Sequence, residues 1–307
     1  MAVNDISLTS GMRNNLLSLQ KTSDNIATTQ QRLSTGKKVN SPLDNPTNYF
    51  AAQTHLERAS DLTARKDGMA EAVQMVKAAD AGIKAITSLI ESAKGVASSA
   101  AATSSATDRA NYASTFNTLM TQISELASDS GYRGTNLLNS QNQTVEFGQA
   151  TGTATLGITG FNSTASGLTI DTATITSSAS SGGTASTSVA GTSVGGAGMS
   201  ATAWNATGDA ASTATVVIQS AANQLEGALS TLRTQSSKLS SNLSVVTNRQ
   251  DFTSSMINTL QTGADNLTLA DMNEEGANML MLQTQQNLGV TSLSMASQAA
   301  QAVMRLF

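Results

Sequence analysis

Apolar side chains recur every three or four residues at both ends of the chain, which is the spacing of one face of an α-helix. Near the N-terminus this repeat has a period of seven with one alternate position filled: Met12, Leu16, Leu19, Ile26 and Leu33. It predicts a first helix that stops at Gly36, because glycine readily adopts the left-handed conformation that closes a helix.

A second, much longer helix is predicted from about Thr47 to about Ser99, after a segment that holds both prolines of the chain. Its start is indicated by Asn45 followed by Pro46, since asparagine caps helices and proline is favoured at the first helical position. Its apolar stripe again repeats at seven: Leu62, Met69, Val76, Ile83 and Ile90. A turn within 97–107 and a third helix ending near Gly131 complete the N-terminal half.

The strongest repeat begins near residue 209. From Ile218 to Leu260 thirteen positions alternate at intervals of four and three without a slip, and nine of them are bulky and apolar. Five of these are Leu225, Leu232, Leu239, Leu243 and Val246. The stripe stops at Gly263 and resumes in a last helix: Met279, Leu282, Leu293, Val303 and Phe307. A sustained 3.5-residue period is typical of helices packed knobs-into-holes.

The helical pattern is lost between about 144 and 208. Short alternating runs at 144–147, 154–156 and 168–170 predict β-strands, and residues 177–200 are predicted to be flexible low-complexity sequence. Residues 151–200 hold a single charged side chain, Asp171, among 22 Ser and Thr. We interpret this stretch as solvent-exposed surface, with O-linked glycosylation as the alternative.

Composition fits thin seams between long helices better than one thick core, because aromatic residues make up only 3% of the chain. The predicted fold class is mainly α, a long antiparallel helical bundle or coiled coil formed from both chain ends. A small β-rich, Ser/Thr/Gly-rich middle region completes it. The net charge of −4 argues against binding nucleic acid through positive charge.

Few side chains are available for catalysis. The chain has no cysteine and one histidine, His55, which excludes most zinc sites and most nucleophilic schemes. We therefore predict no catalytic, cofactor-binding or metal-binding residues and no enzyme, and we interpret His55 as structural or solvated. Glu274 and Glu275 are expected to complement a helix dipole rather than to act in acid–base chemistry.

The apolar stripe runs to the last residue of the chain, where an isolated helix would fray. Two such end helices bury little by themselves, and their other faces carry few charges, which favours lateral packing against further copies. This predicts a symmetric homopolymer, although any coiled-coil partner would fit the pattern equally well. No stretch is long and apolar enough for a membrane span. The first ten residues lack a basic and an apolar region, so we expect no general secretory signal, which taken alone favours the cytoplasm.

Three segments resemble bacterial flagellin. Residues 16–44 contain Arg-Leu-Ser-Thr-Gly at Arg32–Gly36, followed by Asn40-Ser41. Residues 123–138 resemble the family's second helix and close with Gly-x-x-Leu-Leu, and residues 270–289 resemble its C-terminal end. The resemblance covers about 1–145 and 209–307. One turn departs from it, because Asp44–Ala51 replaces the usual Asp-Asp-Ala-Ala-Gly-Leu-Ala-Ile, so the contacts of that turn are not carried over.

The resemblance implies three domains. Residues 1–42 and 265–307 would form an inner helical coiled-coil domain, and residues 43–145 and 209–264 a long-helix bundle domain. Residues 146–208 would form an outward-facing β-hairpin or small variable domain. The ten apolar residues given above for the first and last helices become candidates for self-assembly and are called the terminal seam. The ten given for the two long helices are called the long-helix core.

The resemblance also implies a function. The chain would be a structural subunit that self-assembles into the bacterial flagellar filament for swimming motility. The alternative is a hook–filament junction protein of the same fold. Expected partners are further copies of the chain, the flagellar export apparatus, an export chaperone, the filament cap and the hook-junction proteins, without nucleic acid or membrane insertion. Export through that apparatus needs no cleaved signal peptide, so the expected location becomes extracellular. Lys37-Lys38 is then either a solvated turn or a contact to a neighbour's carboxylate.

Overall fold

The computed structural model describes residues 10–148, 152–176, 188–189, 203–207 and 211–304. In this part of the chain five helices and four short strands are formed. The helices are α1 (Ser10–Thr35), α2 (Pro46–Ala102), α3 (Ala106–Asp129), α4 (Ala211–Thr268) and α5 (Met272–Met304). The strands are β1 (Gln143–Glu146), β2 (Thr155–Ile158), β3 (Ile175–Thr176) and β4 (Ser188–Val189). The mainly helical class with a small β region is therefore confirmed.

The predicted helix boundaries near the N-terminus are confirmed. α1 ends at Thr35, and Gly36 has a φ of +69° while its N–H donates to the Arg32 carbonyl over 2.8 Å. α2 begins at Pro46, and the side-chain oxygen of Asn45 accepts from the backbone N–H of Asn48 over 3.0 Å. Both boundaries are local, since the backbone preference of one or two residues decides them.

The interruption predicted at Gly263 is wrong. α4 continues through this glycine to Thr268, and the chain turns only at 269–271. A glycine inside a helix costs about 1 kcal/mol relative to alanine, which a long helix tolerates. The next helix starts where Asp271 caps it, because the Asp271 carboxylate accepts from the backbone N–H groups of Asn273 and Glu274 over 2.9 and 3.3 Å. Both Glu274 and Glu275 lie in the first turn of α5, as expected for the helix dipole.

The described residues divide into two compact units. The terminal unit comprises the described parts of Met1–Ser60 and Met256–Phe307, and the central unit comprises those of Asp61–Ser255. None of the described helices is long and apolar enough to cross a membrane.

The central unit has one large hydrophobic core. Side chains from α2, α3, α4 and the segments between them join in a single buried cluster, which includes Met69, Ile86, Phe116, Ile123, Leu137, Trp204, Ile218 and Leu225. The rings of Phe116 and Trp204 lie 5.0 Å apart between centroids. Nine residues of the long-helix core are buried, and Leu243 is half-buried.

One glycine sets the approach of α2 to the segment after α3. A β-carbon at Gly82 would overlap Ser130 Oγ and lie 2.6 Å from Leu138 Cδ1. Any larger side chain would therefore force Ser130 and Leu138 to move.

The middle of the chain folds in part as predicted. β1 and β2 form an antiparallel pair in which Gln143 faces Ile158, so the strands expected at 144–147 and 154–156 are confirmed with small shifts. The strand expected at 168–170 is wrong, because Thr169 has a φ of +58° and the Ile170 N–H donates to the Ala165 carbonyl within a turn. Residues 177–200, predicted as flexible, lie outside the described residues except for β4, which pairs with β3.

Candidate self-assembly surface

α1 and α5 pack side by side and run in opposite directions. Asn15 Nδ2 donates to Ser292 Oγ over 3.2 Å near the start of α1. One turn further along α1, Leu19 contacts Gly289, so contacts advance along α1 as they retreat along α5. The two ends of the chain thus form an antiparallel helix pair.

The contact between Leu19 and Gly289 brings a side chain directly onto a helix backbone. A β-carbon at Gly289 would lie 2.6 Å from Cδ2 and 3.1 Å from Cγ of Leu19. Contacts under 3.0 Å do not occur between such atoms, so any other residue at this position must displace Leu19. The contact of Leu19 with the α5 backbone therefore requires glycine at position 289.

An ion pair joins the other end of the same helix pair. Arg32 Nη1 lies 3.0 Å from Glu275 Oε1, and the Glu275 side chain is only 10% exposed. Thr29, one turn before Arg32, is also buried. The sequence indicates only a helix-dipole role for Glu275, because 243 residues separate the two partners and no local pattern links them. This pairing satisfies a carboxylate that would otherwise be buried alone.

The segment after α1 is bound to the end of α4. The backbone N–H of Lys38 donates to the Thr268 carbonyl over 2.7 Å, and the N–H of Ala270 donates to the Gly36 carbonyl over 2.9 Å. Lys38 Nζ also donates to the Asn266 carbonyl over 3.4 Å, where a cation complements the C-terminal end of the helix. Lys38 is therefore more than a solvated residue, whereas the proposed contact to a neighbour's carboxylate stays a prediction.

The turn between α1 and α2 is closed by Asp44. Its Oδ2 accepts from the backbone N–H groups of Asn40 and Ser41 over 3.0 and 2.9 Å and from Ser41 Oγ over 3.1 Å. The two backbone donors, Asn40 first, hold the pKa of Asp44 below its ordinary value. Leu43, inside this turn, is 95% exposed.

The terminal seam is only partly covered within one chain. On α1, Met12, Leu19, Ile26 and Leu33 are half-buried and Leu16 is exposed. On α5, Leu282 is buried, whereas Met279 and Leu293 are half-buried. The side chains of Val303 and Phe307 lie outside the described residues.

A second apolar surface, which the sequence pattern did not predict, lies on α5. Leu280, Met281, Leu288 and Met295 are between 53% and 67% exposed. At about 100° per residue they fall within an arc of about 100°, on the side of α5 largely opposite Leu282. We call these four residues the outer face of α5. A helix that is apolar on two sides is normally buried on both.

Exposed apolar side chains are concentrated in the terminal unit. Twelve of the fifteen large ones in the described residues lie there: Leu16, Leu17, Leu43, Phe50, Leu56, Leu269, Met272, Leu280, Met281, Leu288, Val290 and Met295. By contrast, the described side chains of α1 and α5 that are buried number three, Thr29, Glu275 and Leu282. A concentration of exposed apolar side chains of this kind is typical of an association surface.

The described residues contain no group of three His, Cys, Asp or Glu side chains that could hold a metal ion. His55 is half-buried, and its Cδ2 lies 3.8 Å from the position of a β-carbon at Gly263. His55 therefore packs against α4 within the terminal unit.

The long paired helices, their exposed apolar side chains and the helical core of the central unit are typical of a structural protein. The family model for the bacterial flagellin N-terminal helical region matches residues 6–143. Flagellin FljM and flagellin FljN of Caulobacter vibrioides are 31% and 32% identical to the chain, with both proteins covered over their whole lengths. The flagellin of Brucella melitensis is 25% identical over 95% of each chain. The chain belongs to the bacterial flagellin family.

Flagellins are the structural subunits of the flagellar filament, so the predicted family and function are confirmed. The relatives that match the whole chain are named flagellins, which favours a filament subunit over the hook–filament junction alternative.

Proposed function

We propose that the protein polymerises with itself through the terminal unit and that the terminal seam and the outer face of α5 make the contacts between subunits. The observation that carries this proposal is the opposition of two apolar surfaces on one helix. Leu282 is buried on the same side of α5 as Gly289, which contacts Leu19, whereas Leu288 is 66% exposed on the outer face.

The isolated pair of α1 and α5 needs further apolar cover. Only three of the described side chains of α1 and α5 are buried. The stability of such a pair in water is marginal, because most helical stability comes from packing an apolar face. Burying apolar area contributes roughly 25 cal/mol per Å², so covering the four residues of the outer face contributes several kcal/mol per subunit. Neighbouring copies of the chain supply that cover.

The remaining partners follow from the family. We infer that the subunit leaves the cell through the flagellar export apparatus without a cleaved signal peptide, with the help of an export chaperone. Outside the cell it joins the filament beneath the filament cap and above the hook-junction proteins. The polymer then acts as the filament that drives swimming.

A charged substitution on the outer face of α5 tests this proposal. Leu288→Asp should fold as the wild type does, because the position is exposed in the subunit, but should not form filaments, because the carboxylate would be desolvated between subunits. Gln283→Asp is the matched control, since it places the same charge on an exposed position of α5 outside the outer face. Circular dichroism reports folding and electron microscopy reports filaments.

Long filaments of normal yield from Leu288→Asp would contradict the proposal. If the purified wild type forms only short assemblies of fixed length instead of long homopolymers, the junction-protein alternative is favoured.

A further inference from the structure

Two methionines occupy the surface on which the proposed function rests. Met281 and Met295 are 53% and 65% exposed, and both lie on the outer face of α5. Their flexible, polarisable thioethers suit a contact surface, and the same sulfur atoms are open to oxidants in the free subunit. Met69 and Met120, by contrast, are buried in the core of the central unit.

We propose that Met281 and Met295 are sites of reversible oxidation by hydrogen peroxide and that sulfoxides at these positions prevent the subunit from joining a polymer. The inference deepens the proposed function and rests on it, because it needs the outer face of α5 to be buried between subunits.

The chemistry is a two-electron oxygen transfer. The lone pair of the thioether sulfur attacks one oxygen of hydrogen peroxide, the O–O bond breaks and an S–O bond forms. The departing hydroxide takes the proton of the transferred hydroxyl, so one sulfoxide and one water result. Methionine sulfoxide reductases reverse the step with a dithiol as reductant: the dithiol is oxidised to a disulfide, the sulfoxide oxygen leaves as water and the thioether is restored.

The physical effect is to place a polar oxygen on a surface that must become dry. A sulfoxide accepts hydrogen bonds from water in the free subunit and loses them on burial among Leu280 and Leu288, which offer no donor. Oxidation of both residues should raise the critical concentration for polymerisation roughly tenfold or more. Once assembled, the same residues should be protected from peroxide.

The experiment treats the free subunit and preformed filaments with hydrogen peroxide and maps oxidation at each methionine by peptide mass spectrometry. We expect Met281 and Met295 to oxidise in the subunit much faster than Met69 and Met120, and roughly tenfold more slowly in filaments than in the subunit. The oxidised subunit should polymerise poorly and should recover after treatment with methionine sulfoxide reductases A and B and dithiothreitol.

Two variants separate this effect from general oxidative damage. The double variant Met281→Leu/Met295→Leu keeps the apolar volume and should polymerise with or without peroxide treatment. Met272→Leu is the matched control, because Met272 is 48% exposed on α5 but outside the outer face, and this variant should stay sensitive.

Unchanged polymerisation of a subunit oxidised at both sites would overturn the inference while leaving the proposed function intact. Failure of the unoxidised wild type to polymerise would overturn both. If peroxide reduces polymerisation of the double variant as much as that of the wild type, oxidation of other residues causes the loss of polymerisation. This result would also overturn the inference.

Discussion

Leu19 of α1 lies against the backbone of α5 at Gly289, where a β-carbon would come within 2.6 Å of its Cδ2. The two residues lie near opposite ends of the sequence, so this contact joins the N- and C-terminal helices.

Gly289→Val should therefore loosen the α1–α5 pair. The larger side chain displaces Leu19, and overpacking of this kind destabilises by about 1–3 kcal/mol. Hydrogen exchange of the α1 amides measures the effect, with faster exchange expected. Gly276→Ala is the control on the same helix, since a β-carbon there meets nothing within 4 Å and alanine improves helix propensity.

Shortening Leu19 tests whether the effect of Gly289→Val is steric. The double variant Leu19→Ala/Gly289→Val should exchange more slowly than Gly289→Val alone, because space is restored. If the losses of amide protection in the two single variants simply add in the double variant, the two residues are not coupled.

The ion pair between Arg32 and Glu275 should anchor the other end of the helix pair. Arg32→Ala leaves a largely buried carboxylate without its cation and should lower the free energy of unfolding of this unit by about 1–3 kcal/mol. Arg32→Ala/Glu275→Gln should lose less than the single variant. A double-mutant cycle by thermal unfolding measures the coupling, and a coupling energy near zero would contradict a structural role for the pair.

Asp44 should make the turn between α1 and α2 sensitive to acid. Its pKa is lowered in the fold by the backbone N–H groups of Asn40 and Ser41. A lowered pKa stabilises the fold at pH values above the ordinary aspartate pKa of about 3.9, and this contribution disappears as the pH falls through the lowered value.

Amide exchange at Asn40 and Ser41 measures this directly. Protection should be lost on acidification in the wild type and should be absent at every pH in Asp44→Asn. Asp24→Asn, at an exposed position of α1, should behave as the wild type does. Equal protection in Asp44→Asn at neutral pH would show that the carboxylate does not hold the turn.

Packing in the central unit depends on Gly82. Gly82→Ala places a methyl group against Ser130 and Leu138 and should destabilise the unit by about 1–3 kcal/mol, measured by denaturant unfolding. Gly95→Ala, in the same helix with nothing within 4 Å, should be neutral or should stabilise by up to about 1 kcal/mol. The same sign of change for both variants would contradict the close approach at Gly82.

Features encoded by local or periodic sequence were predictable. The start of α2 at Asn45-Pro46 and the end of α1 at Gly36 depend on one or two residues each. The thirteen-position repeat of α4 likewise predicted buried or half-buried positions throughout, because a regular period fixes which face of a helix is covered.

Features that depend on distant partners were not predictable. The partner of Glu275 lies 243 residues away, and nothing near it in the sequence indicates Arg32. The outer face of α5 was missed because a single stripe was followed along a helix that is apolar on two sides. The strand expected at 168–170 was wrong because these residues form a turn in which Leu168 and Ile170 are both buried. An alternation over so few residues does not distinguish such a turn from a strand.

The outer face of α5 should become buried when subunits assemble, and the absence of cysteine in the chain allows a direct measurement. A cysteine introduced as Leu288→Cys can be labelled with a thiol reagent in the free subunit and in filaments, with Thr155→Cys on exposed β2 as the control. Labelling at position 288 should slow at least roughly tenfold on assembly, whereas labelling at position 155 should change little. Equal labelling rates at position 288 in subunit and filament would contradict this prediction.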